Sequence, residues 1–129
     1  MPRSTTFAPD APAAIGPYAH AAEPSGARLL FLSGQTPIDP ATARLVTGDV
    51  AMQTRQVFAN LETVLAAAGG TLADVVKFSV YLTTMDNFAE MNEVYASLVQ
   101  EPYPARTTVA VAGLPLGARI EIEAIASLS

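Results

Sequence analysis

The sequence contains no cysteine, and this absence excludes several kinds of chemistry. Disulfides, thiolate nucleophiles, iron–sulfur clusters and cysteine-ligated zinc all need a thiol. Histidine is nearly as scarce, because His20 is the only one in 129 residues. One chain therefore cannot build a multi-histidine metal site, although symmetric subunits could pool one histidine each. No metal centre is expected within a single chain.

Long apolar runs and clustered positive charge are also missing. No stretch approaches the roughly 20 apolar residues that a membrane-spanning helix needs, and Met1–Ala11 is followed by no apolar run of the kind found in signal peptides. The chain has 12 acidic residues against 7 basic ones, and its net charge is −5. Phosphate backbones bind clustered lysine and arginine, whereas the basic residues here are scattered. We therefore expect a cytoplasmic protein with no membrane contact and no nucleic-acid partner.

The chain does contain enough apolar residues for one hydrophobic core. Half of the residues are apolar and 15% are charged, and 129 residues is the length of one ordinary domain. We expect a single domain over residues 1–129. Met1–Ala14 is rich in proline and alanine and has no periodicity, so residues 1–10 are expected to form an extended arm with a mobile end.

Two segments have the spacing of amphipathic helices. In Asp49–Ala68, apolar residues recur every three or four positions, which gives one apolar stripe. Thr47 or Asp49 can cap the start of this helix, and Gly69-Gly70 can end it. Asp86–Gln100 has a second stripe of the same kind.

Strands are expected where short apolar runs or alternating patterns lie between turn residues. The segments with this character are Ile15–Ala22, Arg28–Ser33, Asp74–Leu82, Arg106–Ala112 and Ala118–Ser127, with a brief strand at Leu45–Val46. Because helix stripes need a sheet face to cover, both helices should pack on one face of a mixed sheet of four to six strands. The expected fold class is therefore α+β.

The alternation in the strands also predicts which side chains face the helices. The apolar residues expected under the helices are Val76, Phe78, Val80, Ile120 and Ile122. Glu121 would then point from the opposite face of the sheet. For the strand that begins at Arg106, the pattern leaves open whether Arg106 and Thr108 or their neighbours lie on that face.

Four residues depart from the patterns around them. Glu121 interrupts a strong strand, Arg106 begins one, Asn92 lies within the second helix stripe, and Tyr18 follows a Gly-Pro turn. Each has a purely structural interpretation, such as a solvated charge, an ion pair or packing. No nucleophile elbow, dinucleotide fingerprint or phosphate-binding loop is present. None of the four residues supports a function by itself.

Several motifs together resemble the RidA family, also called the YjgF family, from about residue 8 to residue 127. They are APAAIGPY (11–18), FLSGQTPIDP (31–40), GDVAMQTRQVFANLETVLAAAG (48–69), DVVKFSVYL (74–82), MNEVY (91–95), PARTTV (104–109) and IEIEAIA (120–126). The resemblance implies a chorismate-mutase-like α+β fold and a homotrimer with active sites in clefts between subunits. It implies hydrolytic deamination of 2-imino and enamine acids, such as 2-iminopropanoate and 2-iminobutanoate, to 2-keto acids in metabolite damage control, without a metal or organic cofactor.

The resemblance also assigns roles to individual residues. Arg106 matches the family's carboxylate-binding arginine, and Glu121 matches the glutamate that handles the attacking water. The other substrate-binding positions that it implies are Tyr18, Ser33, Gly34, Asn92 and Thr108. These roles suit the chemistry, because a guanidinium holds a planar carboxylate through two parallel hydrogen bonds and a carboxylate can orient and deprotonate water.

Three positions depart from the family pattern and keep other functions open. His20 stands where the family usually has glutamine, Thr108 where it often has cysteine or valine, and Leu116 in a turn where it often has lysine. His20 and Thr108 bear on substrate range and leave open a hydrolase that acts on another C–N compound. A non-catalytic trimer that binds small carboxylates is a second alternative. A nuclease, an activity ascribed to some animal relatives, is a third, which the acidic composition disfavours.

Overall fold

A computed structural model describes residues 3–129 of the chain. These residues form eight strands, two α-helices and three short 3₁₀ turns. In chain order the strands and helices are β1 (Ser4–Thr6), β2 (Ala21–Glu23), β3 (Arg28–Gln35), β4 (Ile38–Asp39), β5 (Arg44–Leu45), α1 (Val50–Ala67), β6 (Val75–Leu82), α2 (Phe88–Leu98), β7 (Ala105–Ala110) and β8 (Ile120–Leu128). Among residues 3–129, no helix combines the length and the apolar character that crossing a bilayer requires.

Four of the strands form the main sheet, in the order β3-β8-β6-β7. Strands β6 and β7 are parallel, and β8 is antiparallel to both of its neighbours. The parallel pair needs a crossover, and α2 supplies it. The expected mixed sheet is therefore confirmed.

Both helices cover the same face of this sheet. Asp49 caps α1 by accepting a hydrogen bond from the Met52 amide at 3.0 Å, and α1 ends before Gly69, whose φ is +86°. Phe58 of α1 and Tyr95 of α2 both meet Phe78 of β6 edge-on, with ring centres 5.6 and 5.5 Å apart. All three side chains are fully buried, so they join helices and sheet in one core. The α+β prediction with two helices on one face is confirmed.

The buried face of the sheet differs from the expectation at one residue. Phe78, Val80, Ile120 and Ile122 lie in the core as expected, whereas Val75 joins them in place of Val76, which is buried outside the core cluster. The pairing of β6 with β8 shifts register between Val75 and Lys77. Such a bulge turns the side chain ahead of it to the other face of the sheet.

The N-terminal part of the chain also differs from the expectation. The predicted strand Ile15–Ala22 is wrong, because only Ala21–Glu23 is extended in a ladder, where it pairs with Ser4–Thr6 of the expected arm. Ahead of it, the Tyr18 amide donates to the Gly16 carbonyl at 2.8 Å, which makes a tight turn, and Pro17 has no amide hydrogen to donate to a ladder. Met1 and Pro2, the first residues of the expected mobile end, lie outside the described residues.

Candidate active site

Arg106 lies on the helix-covered side of the sheet. It pairs in parallel register with Phe78, whose side chain is part of the core, and partners in register point to the same face. Its Nη1 donates a hydrogen bond of 2.6 Å to Oδ1 of Asn92 on α2. The structure thus settles the face of Arg106, and it explains the polar residue within the second helix stripe.

Three aromatic rings surround the Arg106 guanidinium. Its central carbon lies 4.7 Å from the ring centre of Tyr95, 5.7 Å from that of Phe88 and 5.8 Å from that of Tyr18. Ring faces attract cations at such distances. Burial lowers the pKa of Arg106, and Tyr95 and Tyr18 oppose this shift. Arginine nevertheless stays protonated at any working pH, so this pocket holds a permanent positive charge.

No carboxylate within residues 3–129 neutralises that charge. Arg106 makes one hydrogen bond, which goes to an uncharged amide oxygen. A half-buried cation without a counter-ion is costly unless a ligand or a partner supplies the negative charge. The pocket is therefore suited to an anion, and a planar carboxylate fits the fork geometry of the guanidinium.

The guanidinium faces a cavity of about 240 Å³. The turn that contains Gly16 and Tyr18 forms one wall, and α2 and β7 form the others. The lining residues are Ile15, Gly16, Tyr18, Phe88, Asn92, Arg106 and Thr108. The Ala19 amide donates to the Pro104 carbonyl at 3.1 Å, which ties the turn to the segment just before Arg106. The cavity is the size of a small organic acid and its waters rather than of a polymer.

Thr108 lines this cavity and carries a buried hydroxyl. It follows Arg106 by two residues on β7, and side chains two apart share a face. Its Oγ1 is buried and has no hydrogen-bond partner among residues 3–129. A buried hydroxyl without a partner is destabilising by about 1–3 kcal/mol.

Glu121, Gly34 and Ser33 form a separate group on the other side of the sheet. Glu121 pairs with Tyr81 on β6 and lies between the core residues Ile120 and Ile122, so its side chain points away from the helices. A Cβ atom at Gly34 would lie 2.0 Å from Oε2 of Glu121, so the carboxylate rests directly against Gly34 and a larger residue there would displace it. Ser33 is exposed beside it.

The predicted site residues therefore form two separate groups in one chain. Tyr18, Asn92, Arg106 and Thr108 meet in the cavity on the helix side, whereas Ser33, Gly34 and Glu121 meet on the open face. Within a single chain, Glu121 and Arg106 cannot act on the same small molecule, because the sheet separates them. The sequence pattern placed Glu121 on its face but could not place Arg106.

The structure also locates two residues whose surroundings the sequence left open. His20 does not line the cavity, because its Nδ1 accepts from the Ala8 amide and its Nε2 contacts the Pro12 carbonyl, each at 2.8 Å. Leu116 is 70% exposed in a turn, as expected. Within the described part of the chain, no three histidine or acidic side chains come together as a metal site would require.

Sequence reasoning missed Phe88 as a wall of the cavity and Tyr95 as a ring that contacts the Arg106 guanidinium. Both were assigned to the apolar stripe of α2, which is correct for Tyr95 as a core residue. They lie four residues before and three residues after Asn92, and such residues share one face of a helix. Aromatic residues one turn on either side of a polar residue were the signal that could have identified them.

Comparisons with known proteins agree on one group of relatives. A family model described as endoribonuclease L-PSP matches residues 8–128. A RutC family protein of Pyrococcus horikoshii is 49% identical over 124 residues, which are 96% of this chain and 97% of that protein. The 2-iminobutanoate/2-iminopropanoate deaminase of Mus musculus is 45% identical over 116 residues, which are 90% of this chain and 84% of the mouse protein.

Solved structures show the same similarity in three dimensions. RidA from an Antarctic Psychrobacter species superimposes with a TM-score of 0.75 at 44% sequence identity. The match covers 98% of this chain and 100% of that one. At this coverage the similarity includes the turn of Tyr18, both helices and all four strands of the main sheet.

Proposed function

The chain belongs to the endoribonuclease L-PSP family, which includes the RidA proteins, and we propose that it hydrolyses 2-imino acids and their enamine tautomers to 2-keto acids and ammonia. The observation that carries this proposal is the Arg106 guanidinium. It is held by Asn92 and three aromatic rings, faces a small cavity and has no counter-ion within residues 3–129.

The substrate class follows from the shape and charge of the cavity. Two parallel N–H groups of Arg106 would grip the substrate carboxylate, because Nη1 is already oriented by Asn92. The rings of Tyr18 and Phe88 would flank the planar conjugated imine. Thr108 would contact the bound acid as part of the cavity wall. Substrates such as 2-iminopropanoate and 2-iminobutanoate are small enough for a cavity of about 240 Å³.

The complete site would form between subunits. Arg106 and Glu121 lie on opposite faces of one sheet, so a second copy must bring its Glu121 to the first copy's cavity. The open face is suited to such contact, since Phe31 and Val109 are 70% and 40% exposed on it, and exposed apolar patches mark interfaces. A closed ring repeats one such contact around its axis, and the homotrimer is the ring that we propose.

The chemistry then needs only water. Glu121 would orient a water molecule toward the C=N carbon and take one of its protons as the new C–O bond forms. That proton passes to nitrogen, and the proton of the new hydroxyl follows it as the C–O bond becomes the carbonyl of the keto acid, the C–N bond breaks and ammonia leaves. Atoms balance as one imino acid and one water giving one keto acid and one ammonia, so the proposal invokes no metal or organic cofactor.

The direct test is a coupled assay. Purified protein is added to a threonine dehydratase reaction that contains semicarbazide, and capture of the free imine by the scavenger is followed. Wild type should divert the imine to 2-oxobutanoate and lower the rate of semicarbazone formation, whereas Arg106→Ala should not. Arg55→Ala is the matched control, because Arg55 is an exposed arginine on α1. Glu121→Gln should lower kcat more than it raises KM.

The outcomes separate this function from its alternatives. If wild type has no effect on the imine but binds 2-oxobutanoate through Arg106, the protein is a carboxylate-binding module and the deaminase proposal is wrong. If it binds RNA in a salt-sensitive way and does not hydrolyse imines, the nuclease alternative gains support.

A further inference from the structure

His20 closes the segment that forms one wall of the Arg106 cavity. Its Nδ1 lies 2.8 Å from the Ala8 amide nitrogen, and its Nε2 lies 2.8 Å from the Pro12 carbonyl oxygen. A backbone amide can only donate and a carbonyl can only accept. Nδ1 must therefore be free of hydrogen, and Nε2 must carry the hydrogen that goes to Pro12. Both bonds together require the neutral ring.

The bond from His20 to Pro12 closes a loop whose interior lines the cavity. Ile15, Gly16 and Tyr18 lie between these two residues and form the wall that faces Arg106. Within this wall Ile15 is 92% exposed, whereas Pro17 is buried. The same segment is also tied by the hydrogen bond from Ala19 to the Pro104 carbonyl and by the contact of the Tyr18 ring with the Arg106 guanidinium. Closing a short loop restricts the conformations of the residues inside it.

A proton on Nδ1 would break this arrangement. The protonated ring has two donors, so Nδ1–H would face the N–H of Ala8 and the bond would be lost. The ring also contacts the side chain of Phe7, with ring centres 5.5 Å apart. Asp10 is the acidic residue between Ala8 and His20 in the sequence. Neither Asp10 nor any other carboxylate of residues 3–129 makes an ion pair with His20. No negative charge that pairs with the ring therefore stabilises its protonated form in this position.

We propose that His20 is a positioning residue whose uncharged ring holds the Ile15–Tyr18 wall against the Arg106 cavity, so that small carboxylates bind tightly only while the ring is neutral. The ligand in this inference rests on the proposed function, because it takes the keto acid product as the probe. Histidine is the side chain whose protonation ordinarily changes between about pH 5 and pH 8. Protonation of the ring would therefore loosen the wall.

Two substitutions separate the hydrogen bonds of His20 from its ability to titrate. His20→Gln keeps one acceptor and one donor on a side chain that does not ionise, whereas His20→Ala removes both. The dissociation constant of 2-oxobutanoate is measured by calorimetry for wild type and both variants at about pH 7.5 and about pH 5.5. Exchange of the Ala8 and Tyr18 amides is followed by NMR in the same samples, comparing proteins only at equal pH.

The expected pattern is specific to a pair of hydrogen bonds, from His20 to Ala8 and Pro12, that requires a neutral ring. At the higher pH, His20→Gln should bind within about twofold of wild type, and His20→Ala roughly tenfold more weakly. At the lower pH, wild type should approach the affinity of His20→Ala, while His20→Gln should keep its advantage. Protection of the Ala8 amide should follow the same order. All other residues are common to the three proteins, so any effect of pH outside position 20 cancels in the comparison.

Two results would overturn the inference. One is an affinity of His20→Ala equal to that of wild type at both pH values, and the other is an equal loss in acid for wild type and His20→Gln. If wild type fails to bind 2-oxobutanoate at any pH, the proposed function loses its ligand, and amide exchange alone decides on this pair of hydrogen bonds. An Ala8 amide that is equally protected in wild type and in His20→Ala would then reject it.

Discussion

Arg106 and Glu121 lie on opposite faces of the same four-stranded sheet, with β6 between their strands. Arg106 pairs with the core residue Phe78, and Glu121 pairs with Tyr81 on the open face. Two side chains that the sheet separates in this way cannot bind one small molecule within a chain. The proposed chemistry therefore requires Arg106 of one subunit and Glu121 of another.

Mixed assemblies should therefore recover activity that neither parent variant has. In a ring, a site is intact when it takes Arg106 from a Glu121→Gln subunit and Glu121 from an Arg106→Ala neighbour. Random assembly of equal amounts makes about a quarter of the sites intact, so co-expressed variants should show about a quarter of wild-type activity. Variants purified separately and mixed without subunit exchange are the control. If the co-expressed variants are no more active than that control, Arg106 and Glu121 of neighbouring subunits do not form one active site.

Asn92→Asp should weaken substrate binding more than Asn92→Ala. The alanine variant only loses the 2.6 Å bond that orients Arg106. The aspartate variant puts a carboxylate at the same position, where it pairs with the guanidinium and competes with the substrate carboxylate. We expect KM to rise roughly tenfold for alanine and roughly a hundredfold for aspartate. Steady-state kinetics on 2-iminobutanoate measures both, and the reverse order would show that Arg106 does not bind the carboxylate.

Gly34→Ala should lower kcat by displacing the Glu121 carboxylate. The added Cβ would lie 2.0 Å from Oε2 and 2.9 Å from the carboxylate carbon, so the flexible side chain must move. We expect a fall in kcat of roughly tenfold or more, with the melting temperature little changed. Gly113→Ala is the matched control, because a Cβ there meets no atom within 4 Å. Similar kcat values for both variants would mean that the position of Glu121 does not matter.

Arg3→Ala should destabilise the fold, although Arg3 does not line the Arg106 cavity. The Arg3 guanidinium donates to the carbonyls of Leu72, Ala73, Val75 and Gln100 at 2.8–3.3 Å. Burial lowers its pKa, and Tyr95 and Asp74 oppose this shift. Hydrogen bonds from a charged group contribute about 1.5–3 kcal/mol each at most and are not additive.

We therefore expect a loss of about 3 kcal/mol in the free energy of unfolding of Arg3→Ala. Urea denaturation followed by circular dichroism measures it, with Arg55→Ala as the exposed control, for which the change should stay within about 0.5 kcal/mol. Equal stability of the two variants would show that the carbonyls held by Arg3 find water or other donors at no cost.

The sequence by itself determined most of the elements and the family. Helical spacing located α1 and α2, and alternation located β6, β7 and β8, because both patterns follow directly from backbone periodicity. The motifs around Arg106 and Glu121 identified the RidA family, and the family model and the solved RidA structure confirm it. The predicted strand Ile15–Ala22 was wrong because the tight turn at Gly16 and the proline that follows it prevent a continuous strand.

Only the tertiary structure decided which residues meet. The face of Arg106 depends on its register with Phe78 across the parallel pair, and register is a long-range property that period-two alternation in one strand does not contain. The contacts of His20 with Ala8 and Pro12, and those of Arg3 with carbonyls about 70 to 97 residues away, depend on how distant segments pack. The residue types along the chain therefore specified which functional groups are available. The fold decided that Arg106 and Glu121 lie on opposite faces of one sheet.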